Sequence, residues 1–281
     1  MLSLIGVIVV TVGVFGGFLL AGGNLLVLIV PAEYITLGGA AIGGVLICTP
    51  SYVLQAALKS VGKAFKNGYT SQDFLDILVM QYELYNKVRK EGILSIEQDV
   101  NAPDNSQVFK KYPKFLANHE ATDFYCDALR QLVNGIDATA IDLSIETDME
   151  THEKEIKQIP QVFSRMADAF PGLGIVAAVL GIIITMGSLS EPPEVLGHHI
   201  GAALVGTMFG VLMAYGYINP LSQKLESVNV EEEMYLACLA SGFRAFSQGL
   251  APMVAIEVAR KSLFHHFRPD TNALNAAAKK G

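Results

Sequence analysis

The stretch "FPGLGIVAAVLGIIITMG", residues 170–187, decides the fold. It carries no charge and is long enough to cross a bilayer, which takes about 18–20 apolar residues. It is built from glycine, alanine and threonine where a plain anchor would use leucine. Gly174, Ala178, Gly181 and Thr185 fall on one helical stripe. Small residues at four-residue spacing let helix backbones approach closely. So this segment reads as a membrane helix packed against other helices.

Three more stretches match it in hydropathy, and the set predicts four spans in two hairpins. The first hairpin covers 1–54, with spans at about 1–21 and 34–54. The second covers 171–220, with spans at about 171–189 and 198–218. The first span lacks a basic leader and a cleavage site, so it reads as retained. Gly206, Gly210 and Ala214 repeat the small-residue spacing in the fourth span, and Gly39 and Gly43 in the second. Two readings stand for these residues. One is close packing among the four helices. The other is a groove that admits another helix and some water, with Thr185 and Thr207 as its polar points. For each threonine, a hydroxyl bonded back to its own helix is the simpler expectation.

All 20 Lys and Arg lie outside residues 1–58 and 171–223. Thirteen fall between Lys59 and Arg165 and seven from Lys224 onward. Positive charge collects on the cytoplasmic side. Both termini are therefore expected there, with the loop between the hairpins. The net charge of −7 argues against a nucleic-acid partner. Glu33, Glu191 and Glu194 are placed at the outer edge, so the spans are expected to hold no deep carboxylate.

Residues 55–170 and 221–281 read as helical and cytoplasmic, together one discontinuous body. "TSQDFLDILVMQYELYNKVRKEG" places Phe74, Ile77, Leu78, Leu84 and Val88 on one face. Thr70 with Asp73 resembles a capping box, and Gly92 suits the C-terminal cap. A short helix is expected at "ILSIEQDV", another around Ala117–Asn134, and a long one from Asp137 into the third span, kinked or interrupted at Pro160. The fourth span should continue into a helix, followed by an amphipathic one at "PMVAIEVARKSLFHHF". The tail "NALNAAAKKG" is expected to be mobile. Pro171 and Pro220 mark equal depths at the cytoplasmic ends of spans three and four. They read either as ordinary helix-end prolines or as paired kinks forming a joint. The fold class is all-α, a polytopic membrane protein.

Chemistry is sparse. Cys48, Cys126 and Cys238 are unpaired in spacing. His198-His199 and His265-His266 diverge on a helix and make poor metal sites. No nucleophile triad, phosphate loop or zinc spacing occurs, so no enzyme, metal or cofactor is expected. A self-contained transporter would want charges in its core.

The chain resembles the MotA-type subunits of the flagellar motor stator, within the MotA/TolQ/ExbB proton channel family. The likeness is carried by "VFGGFLLAGGNL", "PAEYITLGGAAIG", "KEGILSIEQD", "ETHE", "FPGLGIVAAVLGII", "VGTMFGVLMAYGYINPL" and "APMVAIEVARKSLF". The resemblance implies an inner-membrane A subunit, in a ring of five copies around two helices of a B-type subunit. That partner would carry the membrane aspartate and a peptidoglycan-binding domain, and the ring would turn against the rotor switch protein. Pro171 and Pro220 would match the coupling prolines. Arg89 and Glu97, with Lys90 beside them, would face the rotor, and Glu150 falls near a further loop acid. Thr207 would match the channel threonine. Sodium-driven relatives carry a threonine seven positions after the third-span proline, where this chain has Ala178, which favours protons over Na+. ExbB/TolQ-type energisers of outer-membrane processes are the alternative, with three spans and a different layout.

Overall fold

A computed structural model describes residues 2–66 and 68–279. Met1 of the first span and Lys280 and Gly281 of the tail lie outside the described residues. In chain order the α-helices are α1 (Leu2–Leu20), α2 (Pro31–Cys48), α3 (Ser51–Ala64), α4 (Ser71–Glu91), α5 (Glu97–Asn101), α6 (Pro113–Ala117), α7 (His119–Val133), α8 (Ala138–Gly187), α9 (Pro193–Leu212), α10 (Asn219–Ser247), α11 (Pro252–Lys261) and α12 (Thr271–Ala278). No strand occurs among the described residues. Helices α1, α2, α8 and the run from α9 through α10 are each long and apolar enough to cross a membrane.

The chain divides into two compact units, Met1–Asn67 with Glu155–Val228, and Gly68–Lys154 with Asn229–Gly281. The first, the apolar unit, holds the four hydrophobic segments. Its core is built from Leu37, Ala41 and Val45 of α2, Val53 and Ala57 of α3, Phe163, Phe170 and Ala177 of α8, and Ala214 and Ile218 beyond α9. Helix α1 buries none of its residues within the chain. Its bare apolar surface, with Ile175, Val179, Ile183 and Ile184 of α8 also exposed, is what a helix facing lipid or another subunit requires.

The second span ends earlier than its hydropathy predicts. Pro50 bars its predecessor from the helical region, so Thr49 is extended at φ −120° and ψ 124°, and the helix restarts at Ser51. Helix α8 runs unbroken for 50 residues through both Pro160 and Pro171, so Pro160 does not interrupt it. Beside it, Ser222 Oγ donates to the Pro160 carbonyl at 2.6 Å and lies 2.9 Å from Ser164 Oγ. After α9 the helix widens into a π turn over Met213–Ile218, just before Pro220.

The polar unit has a conventional aromatic core. The predicted face of α4 is buried at Phe74, Ile77, Leu78 and Leu84. The Thr70–Asp73 capping box forms, and Gly92 closes the helix at φ 87°. Tyr85 stacks on Phe246 at 4.1 Å, its hydroxyl donates to Gln81 Oε1 at 2.8 Å, and Tyr125 donates to Tyr85 at 3.1 Å. Most of the tail expected to be mobile is instead helix α12. Asp270 caps it by accepting from Asn272 N, and Leu274 and Ala278 are buried. Two apolar contacts four residues apart anchor a segment whose composition alone reads as loose. Leu274→Ala is expected to destabilise the polar unit by about 2–5 kcal/mol, as for other buried leucines. Urea titration followed by limited proteolysis reads this, with exposed Asn272→Ala as the neutral control.

Candidate functional site: the small-residue wall and the charged corner

The stripe on residues 170–187 does its packing against α9. A Cβ added to Gly174 would stand 3.1 Å from the Gly206 carbonyl and 3.2 Å from Thr207 Cα. One added to Gly210 would stand 2.6 Å from the Phe170 carbonyl and 3.1 Å from Gly174 Cα. At Gly181 it would meet Ala203 Cβ at 2.7 Å. The two backbones therefore touch along three turns, and glycine is the residue that permits it. Gly39 and Gly43 behave differently: no atom lies within 4 Å of a Cβ built there. Their stripe turns away from the chain's own packing, so the expected close packing holds for spans three and four but not for these two glycines.

The polar points divide as well. Thr185 is buried and bonds back to the Gly181 carbonyl at 2.8 Å. Thr207 instead reaches across to α8, donating to the Gly174 carbonyl at 3.3 Å. Ala178 is buried within the chain. Pro171 and Pro220 both belong to the apolar unit, Pro171 half-buried inside α8 and Pro220 exposed in the first turn of α10. Proline withdraws the helical donor from the carbonyl four residues earlier, and a π turn directly precedes Pro220.

One expectation is corrected. Glu33 is not at a solvated edge. It is 7% exposed, and its Oε2 has no hydrogen-bond partner. A Cβ at Gly206 would collide with that oxygen, and one at Gly181 would stand 3.5 Å from Oε1. Gly181 lies six residues, about 9 Å at 1.5 Å per residue, inside the end of α8. The apolar unit thus holds a buried carboxyl. Hydropathy misses it because Glu33 opens a helix, where an acid is ordinary.

In the polar unit, Arg89 and Lys90 end α4 and Glu97 begins α5, all exposed. The Lys87–Asp99 pair at 2.7 Å fastens these two helices, so the three charges share one corner. Asp99 also accepts from Ser106 Oγ at 2.6 Å. Arg89 reaches the Gly249 carbonyl at 3.4 Å. Glu150 stands apart on α8, 3.4 Å from Lys154, at an open cleft of about 390 Å³ that Glu146, Glu233, Arg244 and His152 also line. His152 Nδ1 pairs with Glu120 at 2.9 Å. That carboxylate raises the histidine above its usual 6.5, against the opposing effect of burial. Among the described residues no group of three or more His, Cys, Asp or Glu side chains is disposed to hold a metal ion.

Residues 4–92 match the family described as Motility protein A N-terminal, and residues 116–237 match the MotA/TolQ/ExbB proton channel family. The chain is 35% identical over 271 residues to Motility protein A of Salmonella typhimurium, covering 96% of this chain and 92% of that one. It is 29% identical to Chemotaxis protein LafT of Vibrio parahaemolyticus, covering 98% and 97%. Two solved structures share the fold. "Structure of C. jejuni MotAB" has TM-score 0.78 at 22% identity, covering 94% of this chain and 95% of that one. The flagellar MotAB stator complex from Bacillus subtilis has TM-score 0.77 at 24% identity, covering 95% and 98%.

Two outcomes follow from the geometry. Gly210→Ala forces a methyl against backbone and is expected to cost about 1–3 kcal/mol, read as a lower melting temperature of the detergent-extracted protein, whereas Gly39→Ala leaves it unchanged. The raised His152 value stabilises the fold fully below about pH 6.5, and that contribution fades as pH rises through the folded value. Melting temperature should fall across that window, and His152→Gln should flatten the fall.

Proposed function

The chain belongs to the motility protein A family, and from that membership we propose that it is the A subunit of a bacterial flagellar motor stator. It is a multi-pass protein of the inner membrane. With a B-type subunit it forms an ion channel and converts ion-motive force into torque on the rotor. The observation that carries this reading is the 35% identity to Motility protein A over 96% of the chain. The N-terminal match over residues 4–92 favours it over an ExbB/TolQ-type energiser.

The geometry supports a division of labour. The α8–α9 wall is closely packed and chargeless over residues 170–187, so it offers a stiff surface and no acid of its own there. A B-type partner supplies the membrane aspartate and is held to peptidoglycan. Five copies of this chain surround two partner helices, with Ala178, Thr185 and Thr207 nearest the ion path. A deprotonated aspartate favours one packing against the wall; protonation lowers its desolvation cost and favours another. Each charge crossing the membrane supplies roughly 2.3 kcal/mol per 100 mV. Pro171 and Pro220 are the joints that pass the repacking on. The ion is H+ rather than Na+, because alanine at 178 removes a hydroxyl that a sodium ion would use. The positive charges around the spans put both termini on the cytoplasmic side.

The corner bearing Arg89, Lys90 and Glu97 meets the rotor switch protein, with Glu150 as a further contact. Exposed pairs are worth about 0–1 kcal/mol each, which suits a contact that is made and broken at every step. Expressed with its B-type partner in a flagellated host that lacks stators, the chain should restore swimming. An uncoupler should abolish that motility and sodium withdrawal should not. Strict sodium dependence would refute the ion assignment, and no restoration would refute the function. Arg89→Glu should weaken the rotor contact by about 1 kcal/mol, roughly fivefold, and lower torque at unchanged membrane abundance.

A further inference from the structure

Among the described residues of the apolar unit, Glu33 is the one charged side chain that is buried. Its carboxyl sits in a notch whose floor is two missing side chains, Gly206 on α9 and Gly181 on α8. The methyls of Ala177 and Ala203 close the sides, 3.1 Å and 2.7 Å from where those glycines would carry a Cβ. The Thr185 hydroxyl, one turn beyond Gly181, is already donating to the Gly181 carbonyl. Oε2 points into this notch with no partner.

The surroundings select what can occupy it. Helix α8 carries no ionisable residue between Asp168 and its end. On α9 the ionisable groups are Glu194, His198 and His199, the last seven residues before Gly206. On α2 there is Tyr34, whose hydroxyl is donated to the Leu28 carbonyl and whose ring lies on Phe209 at 4.7 Å. No ion pair to Glu33 occurs among the described residues. A hard metal cation takes several oxygen ligands, and the notch offers methyls and glycines. An isolated buried carboxylate is far more costly than a neutral carboxyl. The ligand that removes the charge without adding volume is a proton.

We propose that Glu33 is a proton-binding site built into this chain, a station on the ion path distinct from the partner's aspartate. A proton arriving from the aqueous phase at the start of α2 bonds to a carboxylate oxygen and gives the neutral acid. When it leaves, the electron pair stays on that oxygen and the charge returns. The packing of α2 against Gly181 and Gly206 is thereby tied to proton occupancy. This use of the site rests on the stator reading; the protonation itself does not.

The test uses the complex with its B-type partner in proteoliposomes. Infrared difference spectra across a pH change, in H2O and D2O, should show the carbonyl band of a protonated acid that is absent in Glu33→Gln. A positioned proton-transfer group contributes roughly a hundredfold or more, so Glu33→Gln should lower uncoupler-sensitive proton flux by about that factor, and Glu33→Asp should recover part of it. A merely structural glutamate would leave flux intact in the isosteric Gln variant, and that result overturns the proposal. So does a spectrum unchanged by the substitution. Where Glu33→Gln fails to reach the membrane, Glu33→Asp replaces it: a shifted carbonyl band supports the site and an unshifted one overturns it. A titrating Glu33 band in a wild-type complex that conducts no protons would refute the stator reading and leave the site standing. Flux without the band would refute the site alone.

Discussion

Between Gly174 on α8 and Gly206 and Gly210 on α9, two backbones lie in direct contact. In lipid there is no hydrophobic drive to bring helices together, so dispersion at short range and a few hydrogen bonds must do it. The close approach supplies both. It brings Thr207 within reach of the Gly174 carbonyl and leaves, at Gly181 and Gly206, the notch that receives Glu33 of α2. Helix α2 then rests on this pair through Tyr34 on Phe209 and through the Glu33 carboxyl. Further along, Ser222 of α10 bonds the Pro160 carbonyl of α8, so the helix that follows α9 is tied to α8 as well. Larger side chains at the glycines would separate the helices and undo these contacts together.

The polar unit is held by different physics. Burial of Phe74, Tyr85, Tyr125 and Phe243 removes aromatic surface from water. The hydroxyls that enter the core are bonded in series, Tyr125 to Tyr85 to Gln81. The thiols of Cys126 and Cys238 are buried, that of Cys126 pushed up to about 12, and both are inert filling. What this unit leaves outside is charge, at the α4–α5 corner and around the Glu150 cleft. Each unit thus leaves a different kind of surface exposed, apolar on α1 and charged on α4.

Much of this was legible in the residues. Apolar runs located the spans, and the Thr70–Asp73 box with Gly92 located α4 at both ends. The positions of Lys and Arg set the expected orientation of the spans. Most of what escaped depends on partners distant in the chain. The α2 break is local, Pro50 outweighing the apolar residues after it. Helix α12 exists because Leu274 and Ala278 find a core, which a local window of alanine and asparagine does not reveal. Gly39 and Gly174 share a pattern, yet only one has a helix against it. The depth of Glu33 follows from two glycines about 150 and 170 residues later, and the π turn before Pro220 has no local signature. Spacing singled out Thr185 and Thr207, but the residues proposed to face the rotor, and Ala178, were named through resemblance alone, since an exposed arginine or a buried alanine carries no label of its own.

The glycines of the α8–α9 contact differ in what stands against them, and this bears on how such a sequence can drift. Gly206 faces side chains, the Glu33 carboxyl and the Ala177 methyl, whereas Gly181 meets both the Ala203 methyl and the Ala203 α-carbon, the latter at 3.1 Å. A lineage could enlarge Gly206 by first shrinking a neighbour, so that position can trade volume over time. Gly210 and Gly174 face carbonyl oxygens and α-carbons. No substitution elsewhere makes a backbone smaller. For these two there is no permissive prior mutation, and they are closed to evolutionary exchange for as long as the helices meet.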